Sequence, residues 1–308
     1  MSRRRFFIIH NPTAGRASHA LFAAVLRRLD EAGCEITAQI AESADEDAEL
    51  ARAAAARGDH DAVVAAGGDS TIRGTALGLL GTAVPLGIIP AGTGNVMAAE
   101  LGLPRSSAQI ARYLRDSPVR KMYCACANGT PFLLMAGAGF DARVVSRLNF
   151  SLKRVLGRPA YAWPILATLR ESLPRLRVEV DGRRHEARWA IVANAAHYAG
   201  SFRLDPETSI FKQELTVILF QPATRTALAG QLLRLATGRL AGTPGIAMLR
   251  GRRIRIEADD AVPLQLDGEH FGTTPVSVAT GKHRLSLLVP AAAADSLPSR
   301  SARSAPTR

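Results

Sequence analysis

The sequence predicts an α/β domain with a parallel sheet, followed by a mainly antiparallel β-sandwich domain. Up to residue 117, apolar strand-like runs alternate with helix-like segments, and this spacing favours right-handed crossovers and a parallel sheet covered on both faces. After Ser117-Pro118, short β-rich runs dominate, and turn signals such as Asn128-Gly129 separate several of them. We therefore predict an α/β domain over 1–117, a sandwich with helical insertions over 118–290, and a disordered tail over 291–308 that is rich in Ala, Ser, Arg and Pro.

The elements of the first domain follow from local patterns. Apolar runs predict strands at 6–9, 35–40, 62–66 and 86–89. A stripe of apolar residues predicts a helix over 18–32, and a second helix is bounded by the acidic residues 45–47 and by Gly58. Helix-like sequence also follows the third and fourth strands, and a further helix is expected over about 106–115.

The second domain is predicted from shorter runs. Strands are expected at 121–127, 132–136, 176–180, 189–194, 215–220, 253–258, 264–266 and 284–289, with helical insertions at about 151–172 and 224–237. Between Ser151 and Leu166 the first insertion combines basic side chains with apolar and aromatic ones. That mixture fits an interfacial surface for an acidic bilayer, and equally a core-packing helix with a solvated basic face.

Composition narrows the class of partner. The chain is 47% hydrophobic and 21% charged, which is typical of a folded protein. Its formal net charge of +12 favours anionic partners. The alternative is a general bias of the composition toward arginine, because the arginines are spread widely along the chain. Aromatic residues make up only 5% and no block of five Lys or Arg occurs, so nucleic acid is not an expected partner.

Three cysteines and the N-terminus indicate the compartment. Cys34, Cys124 and Cys126 are expected to be buried free thiols, because no second Cys or His pair completes a zinc site. The first apolar stretch breaks at Asn11-Pro12 and is too short for a signal peptide. No apolar run reaches the roughly 18 residues that a membrane span needs. We therefore predict a soluble, cytoplasmic protein.

Three glycine-rich turns carry most of the functional information. They occupy residues 11–15, 67–71 and 90–95, and each follows a strand-like run. Turns at the carboxyl ends of parallel strands meet at the edge where open α/β sheets bind ligands. Glycines there let backbone N–H groups approach a phosphate, and helix N-termini add positive dipole. The pattern predicts a cradle for nucleotide phosphates.

Individual residues in these turns suggest roles, each with a plainer alternative. Asp69 could hold Mg²⁺ or orient a reacting phosphoryl group, and Thr71 could supply a hydroxyl and cap the helix; the alternative is a tight turn in which Asp69 only caps. Thr93 could donate a hydroxyl from the third turn, or that turn could be an ordinary loop. Asp267 and Glu269 flank a turn and could provide a general base, although in isolation a solvated hairpin tip is favoured.

Taken in order, these motifs resemble those of the diacylglycerol kinase catalytic-domain family, which includes bacterial soluble lipid kinases and sphingosine kinases. The resemblance spans roughly residues 4–290. It comprises an Asn-Pro-x-x-Gly turn at 11–15, a Gly-Gly-Asp-Gly-Thr loop at 67–71 with Ser70 replacing a glycine, Pro-x-Gly-Thr-x-Asn at 90–95, a Gly-x-Gly-Phe-Asp-Ala type segment at 137–142 and Leu-Asp-Gly-Glu at 266–269.

The resemblance implies an N-terminal domain like that of NAD kinase and phosphofructokinase, and ATP-dependent phosphorylation of a hydroxyl on diacylglycerol or a related lipid. It implies that Glu269 acts as the base with Asp267 and Asp69 assisting, and that Asp69 serves the Mg²⁺. It places the nucleotide on Asn11, Pro12, Gly67, Gly68, Asp69, Ser70, Thr71, Arg73, Gly92, Thr93 and Asn95. The second domain would face the lipid, at an anionic membrane surface on the inner face of the membrane, and a homodimer is left open.

Three departures from the family pattern leave two alternatives open. Ser70 would be strained by roughly one to three kcal/mol if its position required positive φ. Arg73-Gly74 stands where Asn-Glu is usual, and Arg73 could contact phosphate instead. Lys212-Gln213 stands where Asp-Gly would hold a structural Mg²⁺, so that site is expected to be absent, with Lys212 replacing its charge. The alternatives are an NAD kinase, which shares the Gly-Gly-Asp-Gly loop, and a nucleotide-binding regulator without catalysis.

Overall fold

The fold is described from a computed structural model, which defines residues 2–12, 16–92, 94–149, 157–200 and 202–291. Four sequence predictions fall outside these residues in whole or in part. They are the end of the first glycine turn (13–15), the hydroxyl of Thr93, the start of the first helical insertion (151–156), and the tail, of which 292–308 are not described.

The N-terminal part is an α/β structure with a parallel sheet, as predicted. Strands β1 (Arg5–His10), β2 (Glu35–Ile40), β3 (Ala62–Gly67) and β4 (Leu86–Pro90) pair in parallel in the order β2-β1-β3-β4. The helices are α1 (Arg16–Glu31), α2 (Ala44–Arg57), α3 (Asp69–Leu79), α4 (Val96–Glu100) and α5 (Ser107–Asp116). All residues of β3 are buried, which explains its uninterrupted run of small apolar side chains.

Helices α2 and α3 pack unusually closely, and glycine makes this packing feasible. A Cβ added to Gly74 would lie 2.5 Å from the carbonyl oxygen of Ala44 and 2.7 Å from Cβ of Asp47. Ser43 caps α2 by accepting a hydrogen bond from the N–H of Glu46 at 3.2 Å. These contacts fix α3, which begins at the second glycine turn, against the sheet.

The C-terminal part is mainly antiparallel, also as predicted, but its first sheet is continuous with the N-terminal sheet. β18 (Val276–Leu288) pairs in parallel with β4 and antiparallel with β5 (Val119–Ala127) and β15 (Arg253–Ala258). The sheet ends with β8 (Leu176–Val180) and β9 (Arg183–Ala187), and β6 (Thr130–Phe132) pairs with β5. The sequence patterns did not predict this continuity.

A second, six-stranded sheet completes the sandwich. Its order is β14 (Ile246–Gly251), β13 (Leu215–Phe220), β10 (Trp189–Ala193), β7 (Met135–Ala138), β16 (Pro263–Leu266) and β17 (Glu269–Thr273). A small pair, β11 (His197–Tyr198) and β12 (Phe202–Arg203), stands apart. Buried aliphatic side chains of both sheets form the core between them.

Helices are present at both predicted insertions. The first contains a 3₁₀ turn (Arg158–Tyr161) and α7 (Ala162–Leu169), with 151–156 outside the described residues, and the second is α8 (Arg225–Ala236). The sequence reasoning missed α6 (Phe140–Ser146), strands β9, β11, β12, β14 and β17 and the first half of β18, and it wrongly joined β6 and β7 into one strand at 132–136. Cys34 and Cys124 are buried free thiols, whereas Cys126 is only partly buried. No helix in the described part of the chain is long and apolar enough to cross a membrane.

Candidate functional site

The second and third glycine turns form one continuous surface at the carboxyl ends of β3 and β4. The N–H of Ala91 donates to the carbonyl of Gly67 at 2.9 Å. A Cβ added to Gly92 would lie 2.5 Å from Cα of Gly68, so the two backbones touch at a point where no side chain fits. The predicted convergence of these turns is therefore present, with glycine required at the contact.

The turn at 67–71 leads into the N-terminus of α3. Gly68 is the N-cap of that helix, in extended conformation, and as a glycine it offers no side chain to the first N–H groups. Those groups lack intrahelical acceptors and suit an anion. Thr71 is buried inside the helix, so the prediction that it caps α3 was wrong. Ser70 is exposed in the first helical turn without positive φ, so the strain considered for it does not arise.

Asp69 connects this helix to the third turn. Its Oδ1 accepts from the N–H of Met97 in α4 at 3.4 Å, and a Cβ on Gly94 would lie 2.6 Å from its Oδ2. Within the described ranges, no group of three or more His, Cys, Asp or Glu side chains that could hold a metal ion occurs. Mg²⁺ ordinarily combines one or two carboxylates with phosphate oxygens and water, so the carboxylate of Asp69 at this edge of the sheet is of the type that such a site requires.

Two asparagines shape the backbone of the site. Asn95, at φ 48°, accepts from the N–H of Gly92 at 3.0 Å and donates to its carbonyl at 2.5 Å. These bonds hold the third turn in place, and both polar atoms of the Asn95 side-chain amide are used in them. Asn11 and Pro12 follow β1, where the N–H of Asn11 donates to the carbonyl of Ala66 at 3.2 Å. That bond holds Asn11, at the start of the first turn, beside the end of β3.

Arg73 joins the glycine turns to the predicted acidic turn of the second domain. Its Nη1 lies 3.3 Å from Oε2 of Glu269, and its Nε lies 3.5 Å from Oδ2 of Asp267. Its side chain is 15% exposed. The structure thus brings residues 196 positions apart in the chain into one charged cluster at the second turn of α3.

Asp267 and Glu269 stand in different environments. Asp267 is 3% exposed and accepts backbone hydrogen bonds from residues 133–135 at 2.8, 2.8 and 3.1 Å. Burial raises the pKa of Asp267, while those hydrogen bonds and the Arg73 charge oppose the rise. The side chain of Glu269 is 37% exposed. Asp267 therefore fixes the turn, and Glu269 is the carboxylate of the pair that is accessible from outside.

A buried network supports this turn from behind. Asp141 accepts from the N–H of Ala142 at 2.8 Å, from Nε1 of Trp189 at 3.0 Å and from Nε2 of Gln265 at 3.0 Å. Oε1 of Gln265 in turn accepts from the N–H of Gly268 at 2.8 Å. Burial raises the pKa of Asp141 to about 6, although these hydrogen bonds oppose the rise.

Sequence reasoning noticed the 137–142 segment but gave Asp141 and Gln265 no role. The available signals were an acidic residue inside an apolar motif and a glutamine inside a buried strand. The motif requires glycine at position 137, because a Cβ there would collide with the Asp141 carboxylate. The motif supplies a polar support, which is visible only once the strands are paired.

The link between α4 and β11 is a further contact between the two halves of the chain, beside the shared sheet and the Arg73 cluster. Oε2 of Glu100 accepts from the N–H of His197 at 3.1 Å and lies 2.7 Å from its Nδ1. The Glu100 side chain is 7% exposed. The halves are therefore joined independently of Arg73.

The region expected to have lost a structural metal is neutralised by arginine. Arg250 binds the carboxylate of Asp205 and lies 3.3 Å from Oε2 of Glu207. Lys212, predicted to replace the metal charge, donates instead to the carbonyl of Glu207 at 2.9 Å. The sequence reasoning missed Arg250, which lies on the neighbouring strand β14.

Comparisons with known proteins agree with this architecture. The family model described as diacylglycerol kinase catalytic domain matches residues 5–127, and that described as YegS C-terminal NAD kinase beta sandwich-like domain matches residues 135–291. A crystal structure of a diacylglycerol kinase from Bacillus anthracis has a TM-score of 0.71 at 18% identity, covering 95% of this chain and 98% of that chain. Another solved chain from that organism reaches 0.78 at 21% identity, with coverage of 95% and 97%.

Sequence relatives show the same extent of similarity. A diacylglycerol kinase from Bacillus subtilis is 28% identical over 309 residues, covering 96% of this chain and 99% of the relative. A diacylglycerol kinase from Mycobacterium tuberculosis is 27% identical over 304 residues, covering 91% and 93%. An uncharacterized protein from Synechocystis is 31% identical over 245 residues, which are 74% of this chain, and the match spans about half (54%) of that longer relative.

Proposed function

Since the chain belongs to the diacylglycerol kinase family of lipid kinases, we propose that it transfers the γ-phosphoryl group of ATP to a hydroxyl of diacylglycerol or a closely related lipid. The observation that carries this proposal is the position of Glu269. It is a partly exposed carboxylate from the second domain, paired with Arg73 of α3, the helix that begins at the second glycine turn. Phosphoryl transfer needs a phosphate cradle and a proton acceptor facing each other.

The nucleotide phosphates would lie on the backbone N–H groups at the start of α3, between the turns at 67–71 and 90–95. The close contact of Gly68 and Gly92 removes the side chains that would block this approach. Asp69 would hold Mg²⁺ together with phosphate oxygens, and the ion would neutralise charge on the transferring group. Arg73 supplies a further positive charge on the same helix.

Glu269 would take the proton from the acceptor hydroxyl at its exposed carboxylate oxygen. As the acceptor oxygen bonds to the γ-phosphorus, the bond from that phosphorus to the β–γ bridging oxygen breaks and ADP leaves. Asp267 contributes by holding the turn through its three backbone hydrogen bonds. Asp69 orients the phosphoryl donor on the other side.

An exposed apolar surface supports a lipid acceptor presented by a membrane. Trp163 and Leu166 on α7 are 72% and 51% exposed, and Leu233 on the adjoining α8 is 66% exposed. Neither helix contains Asp or Glu, and the exposed Arg170 and Arg234 lie beside them. Apolar side chains flanked by arginine complement an anionic bilayer, so we propose that these two helices rest on one.

This surface lies close to the proposed base. α7 packs on α6, and α6 packs against β16 and β17, the strands that flank the Asp267-Gly268-Glu269 turn. A bilayer beneath α7 and α8 would therefore be one helix layer from Glu269. We propose peripheral attachment to the anionic inner face of the membrane on this basis.

The test is transfer of radiolabelled γ-phosphate from ATP with Mg²⁺ into dioleoylglycerol dispersed in anionic vesicles. A labelled lipid in the organic phase is expected, and the Glu269→Gln variant should lose it while still binding ATP. If a total lipid extract is the acceptor and another lipid carries the label, that lipid replaces diacylglycerol as the proposed substrate. Label transferred to NAD in the aqueous phase, or ATP binding without any transfer, would refute the proposal in favour of an NAD kinase or a non-catalytic regulator.

A further inference from the structure

Arg73 lies four residues after Asp69 in α3, so the two side chains share the helix face on which the proposed phosphate cradle begins. Its guanidinium is nevertheless engaged with Asp267 and Glu269. A cation placed beside the cradle therefore neutralises the carboxylates of the opposite domain.

The contacts of Arg73 are incomplete. The distances of 3.3 and 3.5 Å are longer than the roughly 2.7–2.9 Å of well-formed charge-assisted hydrogen bonds. Nε of Arg73 is buried without a hydrogen-bond partner among the described residues. The guanidinium thus retains an unsatisfied donor, and a planar fork of this kind binds phosphate oxygens in pairs.

The two carboxylates depend on Arg73 to different degrees. Asp267 has three backbone N–H donors besides Arg73, so its charge is stabilised if the arginine leaves. Glu269 is 37% exposed and can be hydrated when released. Departure of the guanidinium therefore leaves no buried, unpaired charge behind, which is the usual cost of breaking such a pair.

We propose that Arg73 is exchanged between Glu269 and the γ-phosphate of ATP, so that binding of the phosphoryl donor releases the base. Without nucleotide, the arginine holds the Glu269 carboxylate. With ATP bound, the γ-phosphate takes the guanidinium, and Glu269 is free to accept the proton of the lipid hydroxyl. This inference rests on the proposed function, and it makes Glu269 and the γ-phosphate competitors for one cation.

Competition predicts a defined thermodynamic coupling, because removing one competitor strengthens the other. The probes are the β,γ-imido analogue of ATP and ADP, each with Mg²⁺, titrated calorimetrically into wild type, Arg73→Gln, Glu269→Gln and the double variant. Glu269→Gln is expected to bind the ATP analogue about fivefold or more tightly. Arg73→Gln is expected to weaken the ATP analogue, and ADP affinity should be unchanged in every variant.

The double variant separates exchange from simple repulsion. If Glu269 only repelled the γ-phosphate, Glu269→Gln would tighten binding equally with and without Arg73, and the proposal would be overturned. Exchange predicts that the gain disappears in the Arg73→Gln background. Equal affinity of all four proteins for the ATP analogue, with lipid phosphorylation intact in wild type, would refute the exchange alone. A wild type that binds no ATP analogue would refute the proposed function as well.

Matched variants guard against loss of folding. Arg177 lies on β8 and forms an exposed ion pair with Asp259. Arg177→Gln removes that pair, and the variant is expected to bind both nucleotides like wild type. Arg73→Lys keeps the charge without the fork, and should retain part of the preference for the ATP analogue over ADP. The halves of the chain stay joined through Glu100 and His197, so Arg73→Gln is expected to remain folded. Should it unfold, the Arg73→Lys comparison still decides: unchanged affinity for the ATP analogue would contradict the exchange.

Discussion

Replacing Asp141 with asparagine tests the buried support of the acidic turn. Asp141 accepts three hydrogen bonds in an enclosed environment, and one of them fixes Gln265 as a donor. Because Nε2 of Gln265 donates to Asp141, its Oε1 is available to the N–H of Gly268. An asparagine offers one acceptor oxygen where aspartate offers two, so the variant turns one of these contacts into a clash of donors.

The pKa of Asp141 gives the size of the effect. Its ordinary value is 3.8 and burial raises it to about 6, so between these values the folded protein holds a proton that the unfolded chain has lost. This contribution to stability is fully present below about pH 4 and is lost as the pH rises through 6. The loss amounts to about 3 kcal/mol. An asparagine at this position carries no such dependence and instead costs about 1–3 kcal/mol at every pH through the unsatisfied donor.

Urea unfolding of wild type and Asp141→Asn at half-unit steps from pH 3.5 to 7.5 measures this directly. The variant should be the less stable at pH 3.5, and the difference should shrink or reverse by pH 7, with a relative change of about 3 kcal/mol. Using the difference cancels the other buried acids, since burial also raises the pKa of Asp47 and Asp267. Parallel profiles would show that Asp141 does not titrate with a raised pKa. Lipid phosphorylation by the variant should fall while ATP binding is retained, because only the turn at 267–269 loses support.

Three further perturbations follow from individual contacts. Gly92→Ala should weaken ATP binding about tenfold or more and lower the unfolding free energy by about 1–3 kcal/mol, because its Cβ would press on Gly68; calorimetry and urea unfolding measure both. Trp163→Ser should reduce sedimentation with vesicles containing phosphatidylglycerol, and that binding should weaken as salt increases. Arg250→Ala should destabilise the fold by about 1–3 kcal/mol in urea, because it leaves the Asp205 carboxylate without its cation.

Each of these changes has a matched control. Gly230→Ala on α8 meets open space and should bind ATP like wild type and be no less stable. Ile40→Ser changes another exposed apolar residue, on β2, and should leave vesicle binding unchanged. Arg177→Ala removes an exposed pair and should leave the midpoint of urea unfolding close to that of wild type. If Trp163→Ser dissociated a dimer instead of releasing vesicles, the surface would be an interface between two copies of the chain.

Most of the N-terminal fold was predictable because its signals are local. An apolar run predicts β3, three acidic residues predict the start of α2, and Gly58, which the structure shows in left-handed conformation, ends that helix. The position of β18 was not predictable in the same way. It pairs with β4 through Leu287 and Leu86, which are far apart in the chain, and no local pattern encodes a pairing at that distance.

The sequence predicted which residues belong to the candidate site, but it did not predict which of them contact each other. The glycine turns, Arg73 and Glu269 were all singled out, yet the ion pair of Arg73 with Glu269 depends on how the two halves meet. Asp141 belonged to a recognised segment, but its function as a support depends on Gln265 from another strand. Arg250 gave no signal, because an arginine in a strand is ordinary until Asp205 is placed beside it.

The departures from the family pattern bear on whether the chain is a kinase or a non-catalytic regulator. A site that had lost its chemistry would be expected to show substitutions without compensating contacts. Here Ser70 is accommodated in a helical turn, and Gly74 is required by the close approach of α2. Arg73 engages the acidic turn, and Arg250 neutralises Asp205. Because the altered positions are tied to the geometry of the site, they favour an enzyme with a modified charge arrangement over one that has decayed.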